Sequence, residues 1–142
     1  MAVDRARAER AVREFLSALG REPEQEPELQ GTPARVVDAY SKDLLSGYDV
    51  DVKALLGEGE AIGENKLSGL IALSGIAVST ICPHHLLLSN GTASVVYRPG
   101  SRLFGLGTLA ALVNAYARRL SLQESIGESV VQALVEHGAA RA

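Results

Sequence analysis

Apolar residues recur at helical spacing, three or four positions apart, in four segments of the chain. The four stripes are Val12–Leu19, Val36–Leu44, Leu109–Leu120 and Leu122–Leu134. Gly20, Gly47 and Gly138 follow the first, second and fourth stripes, at positions where helices commonly end. We therefore predict two amphipathic helices in each half of the chain, with one further short turn at Asp51–Leu56.

Two of the predicted helices carry recognisable start signals. Thr32 is the predicted N-cap of the second helix, because Pro33 follows it in the position that suits a first helical turn. Ser121 starts the fourth helix, and Glu124 three residues later completes a capping-box pattern.

The centre of the chain has a composition typical of β-strands. Leu67–Ile81 is rich in leucine and β-branched residues and predicts a long or bent strand, with Gly69 and Gly75 as candidate bulges. Asn90-Gly91 predicts a tight turn, and Thr92–Tyr97 alternates as the returning strand. The predicted order is α-α-β-β-α-α, an α+β fold with one antiparallel hairpin.

A single hairpin is marginally stable and leaves both of its edges open. The two later helices can cover one face of the hairpin, but they cannot pair with its edges. Because no further strand is recognisable in the sequence, we expect the edges to pair with another copy of the chain.

Composition indicates one soluble globular domain. The chain has 142 residues, of which 46% are hydrophobic and 22% charged, so intrinsic disorder is not expected. We divide it into an N-terminal helical region, 1–56, and a hairpin-containing region, 57–142. The formal net charge of −3, from 14 basic and 17 acidic residues, argues against a nucleic-acid partner.

Cysteine content and hydropathy suggest where the chain resides. Cys82 is the only cysteine, so no intramolecular disulfide can form, and a reducing compartment is expected. The arginine-rich segment Met1–Arg13 has no continuous apolar run, and Leu67–Ile81 is too short and too polar to span a bilayer. We therefore expect a cytoplasmic protein with no membrane partner.

Three side chains capable of metal or proton chemistry follow the first predicted strand. Cys82 and His85 stand three positions apart, a spacing that lets a thiolate and an imidazole reach one zinc ion. His84 lies between them and is suited to acid–base chemistry near neutral pH. The alternative is a buried cysteine beside two surface histidines, since two ligands are fewer than a zinc site requires.

The residues around this cluster resemble the GTP cyclohydrolase I family. Cys82–Leu87 reads CPHHLL and is similar to that family's Cys-Glu-His-His-Leu-Leu/Val segment. The resemblance extends from about Ala8 to Glu136 in the family's order and spacing. The other matching segments are Gly31–Val36 (GTPARV), Tyr97–Pro99 (YRP), Gly105-Leu106 and Ala117–Glu124 (ARRLSLQE).

The resemblance assigns a role to six residues. It implies that Cys82 and His85 are zinc ligands, that His84 handles protons at the purine N7, that Gln123 and Glu124 recognise the guanine edge, and that Arg35 contacts the triphosphate. In the family, zinc activates the water that attacks C8 of GTP, and formate and 7,8-dihydroneopterin triphosphate are formed for pterin and folate biosynthesis. The implied architecture is the tunnelling fold (T-fold), a ring-shaped homo-oligomer, by resemblance a decamer.

The sequence departs from the family pattern at several positions. Pro83 replaces the glutamate, Gly107-Thr108 stands where the family has Ser-Lys, and Ala111 stands where it has an arginine. Because the missing cations contact the triphosphate in the family, we expect an altered purine nucleotide or nucleoside substrate. No match to the family's second hairpin, which carries the third zinc ligand, precedes Ala142, so a shortened or divergent member is expected.

Two interpretations of function remain. The first is a zinc-dependent purine-ring hydrolase of the GTP cyclohydrolase I type. The second is a non-catalytic or truncated relative that acts as an oligomeric binding or regulatory subunit. Residue roles also stay open: Glu124 fits a helix cap as well as a guanine contact, Arg35 fits a solvated first helical turn, and His137 fits a helix C-terminus better than a metal site.

Overall fold

The computed structural model describes residues 2–63 and 69–142, without the side chains of Ala140 and Arg141. The described chain forms two compact units, one ending at Ser46 and the other beginning at Gly47. The first is helical and the second contains all of the described strands, so the α+β prediction is confirmed. None of the helices in the described part of the chain combines the length and apolarity needed to cross a membrane.

The N-terminal unit begins with helix α1, Arg5–Ala18. Asp4 caps it, because its carboxylate accepts a hydrogen bond from the Arg7 backbone N–H at 3.0 Å. Gly20 follows with φ of +76°, which confirms the predicted stop. The apolar stripe is only partly covered within this unit, and Phe15 remains 64% exposed.

Helix α2, Thr32–Ala39, packs against α1 and continues into a wider π-type turn, Tyr40–Leu44. Its N-cap is Gly31, with φ of +73°, so the prediction of Thr32 as N-cap is wrong by one residue. A glycine suits this cap because the left-handed conformation is strained for other residues. Asp38 links the helices: it pairs with Arg5 of α1 and with Lys42 one turn later.

The second unit is built on a long antiparallel hairpin. Strand β2, Ile71–Ile81, pairs with β3, Leu88–Pro99, and the register shifts between Leu73 and Ile76. Gly75 lies in this irregularity with φ of +73°, which confirms the predicted bulge. Gly69 precedes β2, so the bulge predicted there is wrong. The predicted strand positions 67 and 68 lie outside the described residues.

The predicted turn at Asn90-Gly91 is wrong, because both residues lie inside β3. Asn90 is paired with Ser79 and Gly91 with Val78. The Ser79 hydroxyl also donates a hydrogen bond to Asn90 Oδ1 at 2.7 Å across the two strands. The reversal is made instead by Cys82–Leu87, the segment that carries the candidate chemistry.

Three short strands accompany the hairpin, so the expectation that no further strand exists is also wrong. Strand β1, Glu60–Ala61, pairs with β4, Arg102–Leu103, in a small second sheet. Strand β5, Ala139–Arg141, pairs with the end of β3 and makes the main sheet β2–β3–β5. Within the described residues, this third strand covers only the last two positions of β3.

Helices α3, Val52–Gly57, α4, Leu106–Ala117, and α5, Gln123–Glu136, complete the unit. Helix α4 lies against β2, and α5 contacts α4 and β5. Their apolar faces and the inner face of the hairpin form one core. The largest fully buried side chains are Leu56, Ile81, Tyr97, Phe104, Leu109, Leu112, Val113 and Leu134.

The capping box predicted at Ser121 does not form. Helix α5 begins at Gln123 with Leu122 in the N-cap position, and no side chain caps it. Ser121 is engaged elsewhere: its hydroxyl donates to the Tyr116 carbonyl at 3.2 Å, and its backbone N–H donates to the Ile81 carbonyl at 3.3 Å. Within the described residues, Glu124 therefore has no capping role.

Candidate metal and substrate site

The candidate site begins with the reversal Cys82–Leu87 at the end of the long hairpin. Two backbone hydrogen bonds close this loop, from the Cys82 N–H to the Leu87 carbonyl at 3.0 Å and from the Leu86 N–H to the Cys82 carbonyl at 2.8 Å. Leu86 adopts φ of +55°, a left-handed conformation that is uncommon for a leucine. The loop thus brings residues three positions apart to the same side of a tight turn.

Cys82 and His85 are brought together by this turn. The Cys82 sulfur lies 3.7 Å from His85 Nδ1. Tetrahedral zinc with ordinary Zn–S and Zn–N bond lengths separates two such ligand atoms by about 3.6 Å. The pair therefore fits one zinc ion, as two of the ligands that such an ion needs. The described residues contain no group of three or more His, Cys, Asp or Glu side chains placed to hold a metal.

The environment of Cys82 favours its thiolate form. The hydrogen bond with His85 is the largest cause, and the backbone N–H groups of His85 and His84 add to it, so the pKa of the thiol is lowered to about 7. Cys82 is half-buried, and partial burial opposes this effect. The thiolate is the form of cysteine that binds metals, so the lowered pKa of Cys82 favours the binding of a metal ion.

His84 is exposed and does not share this geometry. Its ring is edge-on to that of His85, with 6.2 Å between the ring centroids. An exposed imidazole this close to a candidate metal-binding pair can accept a proton from, or donate one to, a ligand bound there.

The segment Arg118–Leu122 joins α4 to α5 and brings the first turn of α5 to the same end of the hairpin. Ile81 pairs with Leu120 in a parallel bridge, immediately before Cys82. Because Gln123 begins α5 two residues after the Ser121 N–H that bonds to Ile81, the start of this helix lies beside the loop.

A groove of about 680 Å³ runs between the hairpin and α5. Gln123 and the small β3 residues Ser89 and Gly91 are among the residues that line it, whereas Cys82, His84 and His85 are not. Glu124 is exposed in the first turn of α5 and does not line the groove. The structure therefore places Gln123 on the wall of this groove and leaves the Glu124 carboxylate at the surface.

Arg35 belongs to the N-terminal unit, whereas the residues above belong to the second unit. It is exposed on the first turn of α2, and its guanidinium donates to Thr32 Oγ1 at 2.9 Å. This contact fits the solvated-helix interpretation, while leaving the remaining guanidinium N–H groups available to an anion.

His137 lies at the opposite end of the hairpin. It is the C-cap of α5, and the neighbouring Gly138 carbonyl accepts a hydrogen bond from Gly100, just beyond the end of β3. A strand of this length spans about 35 Å. Within one chain, His137 therefore cannot share a metal with Cys82, and its placement matches the helix C-terminus alternative.

Two features of the site were missed by the sequence reasoning. The parallel bridge between Ile81 and Leu120 has no local sequence signature, because it joins segments about 40 positions apart. The side chain of Arg119, which packs against Tyr48 and Tyr116, also escaped notice. The only sequence signal was an arginine three positions after Tyr116, a spacing too common to identify a contact.

Together these features define an α+β protein with a candidate thiolate–imidazole site at the reversal of its long hairpin. The chain belongs to the GTP cyclohydrolase I family: the model of the family described as GTP cyclohydrolase I matches residues 8–142. This confirms the resemblance, and the architecture is consistent with the T-fold.

Curated relatives named GTP cyclohydrolase 1 agree with this assignment. The protein from Chromobacterium violaceum is 40% identical over 139 residues, which cover 97% of this chain and 65% of the relative. The one from Ralstonia nicotianae is 39% identical, covering 99% of this chain and 65% of the relative. The one from Hyperthermus butylicus is 38% identical, covering 92% of this chain and 63% of the relative. The chain thus spans slightly less than two thirds of the length of these relatives.

Proposed function

We propose that this chain carries the metal- and purine-binding part of a zinc-dependent purine-ring hydrolase of the GTP cyclohydrolase type. The observation that carries the proposal is the Cys82–His85 pair, whose 3.7 Å separation suits two ligands of one zinc ion. Family membership supports the reaction class, hydrolysis at C8 of a guanine compound with loss of formate.

Zinc, when bound, supplies a Lewis acid that activates water. The residues of this chain do the rest in the proposal. Cys82 and His85 hold the ion, and His84, exposed beside them, exchanges a proton with the purine N7. Gln123 and Glu124 bind the guanine edge from the first turn of α5. Arg35 contacts a phosphate group.

The start of α4 supports a substrate with fewer phosphate groups than GTP. Its first turn carries Gly107 and Thr108, and Ala111 follows, so no cationic side chain stands at these three positions. Backbone N–H groups at a helix start can bind one phosphate, but three phosphate groups call for cations as well. We therefore propose a guanine nucleoside or monophosphate as the preferred substrate.

The proposal includes a homo-oligomer with sites between subunits, by resemblance a decamer. On the side away from β2, positions 88–97 of β3 have no strand partner in the described ranges. Three leucines beside the candidate site, Leu86, Leu87 and Leu88, are 52%, 67% and 51% exposed. An open edge next to exposed apolar residues favours association with a second copy, which sedimentation would detect. A stable monomer would count against this part of the proposal.

Metal analysis combined with a nucleotide and nucleoside screen tests the proposal. We expect zinc to bind stoichiometrically, to be lost in Cys82→Ser and His85→Ala, and to be retained in His137→Ala. The last variant is a matched control, because it removes a histidine from the opposite end of the hairpin. Formate release from GTP, GMP and guanosine identifies the substrate, and His84→Ala should abolish it with zinc still bound.

The second candidate function is an oligomeric binding or regulatory subunit. It is favoured by one observation, that the described residues supply only two ligands to the metal. A protein that binds guanosine or GTP tightly but releases no formate at any zinc concentration would support this function and overturn the hydrolase.

A further inference from the structure

We propose that Arg119 is a positioning residue for the candidate site: it holds the α4–α5 linker Arg118–Leu122, and through it both the Cys82 loop and the first turn of α5. The half-buried guanidinium packs against two aromatic rings, with Cζ 4.9 Å from the ring centroid of Tyr116 and 5.6 Å from that of Tyr48. Its Nε donates to the carbonyls of Ala115 at 2.7 Å and Gly47 at 3.1 Å. These contacts use both the planar face and the edge of the group.

The linker that Arg119 belongs to is held by the same partners. The Leu120 backbone N–H donates to the Tyr48 hydroxyl at 3.3 Å. Leu120 also forms the parallel bridge with Ile81, and the Ser121 N–H donates to the Ile81 carbonyl. Arg119 therefore lies between the aromatic contacts on one side and the end of strand β2 on the other.

Both halves of the candidate site lie within two residues of this contact. Cys82 directly follows Ile81, and Gln123 begins α5 two residues after Ser121. Helix α5 has no side-chain cap, so its start is placed by the linker rather than by a local motif. A shift of the linker would consequently change the distance between the metal pair and the purine-binding turn.

The chemistry of arginine explains why lysine could not take this role. A guanidinium is planar, stacks on aromatic rings and donates in fixed directions, whereas an ammonium is a compact point charge. Arg119→Lys keeps the charge and much of the side-chain length while losing the stacking and the directed hydrogen bonds. Charge alone should therefore not rescue the site.

Amide hydrogen exchange on the metal-free full chain tests the positioning directly. In Arg119→Lys we expect exchange at the Ser121 and Cys82 amides to increase about tenfold or more, as hydrogen bonds at the site open more often. Tyr48→Leu, a milder change at an exposed ring, should act in the same direction. The matched control is Arg102→Lys, because Arg102 also donates to two backbone carbonyls but lies at the other end of β3.

Metal binding gives a second readout, which rests on the proposed function. Titration with Co²⁺, followed by the thiolate-to-cobalt absorption band, should show roughly tenfold weaker binding in Arg119→Lys, the size of effect that loss of outer support has on other metal sites. Arg102→Lys should bind Co²⁺ like the unchanged protein. If Arg119 only stabilised the fold, Arg119→Lys and Arg102→Lys would lower the unfolding midpoint alike. The affinity of the folded protein for Co²⁺ would then be unchanged.

The outcomes separate the two proposals. If the unchanged protein binds no Co²⁺, the proposed function fails, and the exchange data alone decide the role of Arg119. If exchange at Ser121 and Cys82 is the same in Arg119→Lys as in the unchanged protein, the positioning role is overturned, whatever the metal result. Equal effects of Arg119→Lys and Arg102→Lys at those two amides would also overturn it.

Discussion

Tyr97→Phe removes one buried hydroxyl group from the core and leaves the aromatic ring in place. Tyr97 is 1% exposed, and its ring centroid lies 5.7 Å from that of Phe104. Its hydroxyl accepts a hydrogen bond from the Phe104 N–H at 2.8 Å and donates one to the Phe104 carbonyl at 3.3 Å. The pair fixes the chain just before α4, so the substitution tests how the second unit is held together.

The expected cost follows from the groups left without a partner. Leaving a buried N–H unsatisfied costs about 1–3 kcal/mol, and the longer bond to the carbonyl contributes less. We therefore expect Tyr97→Phe to lower the free energy of unfolding by about 2 kcal/mol, which is roughly a 30-fold change in the folding equilibrium. The phenylalanine ring fills the same space, so no cavity contribution needs to be added.

Urea unfolding measures this change. With an m-value of about 2 kcal/mol per molar, the midpoint should fall by about 1 M at unchanged m. Tyr116→Phe is the matched control, because within the described residues the Tyr116 hydroxyl has no hydrogen-bond partner, and a change below about 0.5 kcal/mol is expected. A loss below about 0.5 kcal/mol for Tyr97→Phe, or equal losses for both variants, would refute the reasoning.

Three further predictions concern the second unit. In metal-free protein, the rate of Cys82 alkylation should rise with pH around a midpoint near 7, because the reactive thiolate forms above the lowered pKa. The variant His85→Ala should move this midpoint upward. Identical pH profiles for the two proteins would contradict the contact between Cys82 and His85. Gly47→Ala should destabilise the protein by about 1–3 kcal/mol in urea unfolding, since its Cβ would lie 2.4 Å from a backbone carbonyl oxygen of α4. Gly57→Ala, with open space around it, should not destabilise. Glu124→Gln should leave the unfolding midpoint within error but weaken guanosine binding measured by calorimetry, and a lowered midpoint would restore a capping role.

The hairpin shows which part of the fold could be predicted from the sequence. The leucine and β-branched residues of Leu67–Ile81, together with Gly75, correctly indicated a long, irregular first strand. Asn90-Gly91 misled, because turn preference is a local property and strand pairing is not. Gly91 is paired with Val78, and Asn90 bonds across the strands to Ser79.

The prediction of a capping box at the start of α5 was wrong for a related reason. Ser121 and Glu124 have the spacing of a capping box, but the Ser121 N–H is committed to Ile81, some 40 positions earlier. Its hydroxyl bonds to the Tyr116 carbonyl instead of to the helix start. A long-range backbone pairing thus outweighed a local motif, and no inspection of residues 121–124 alone could have shown it.

The candidate site depends both on local sequence spacing and on long-range contacts between distant segments. The proximity of Cys82 and His85 follows from their spacing in a tight turn, so it could be anticipated from the sequence, although the turn itself was expected elsewhere. The placement of Gln123 beside the end of β2 depends on the Ile81–Leu120 bridge and on the packing of Arg119, which connect distant segments. Substitutions in the loop Cys82–Leu87 should therefore affect metal binding first. Substitutions in the linker Arg118–Leu122 should instead affect how metal and purine are aligned. Only this alignment requires the second unit to be folded as a whole.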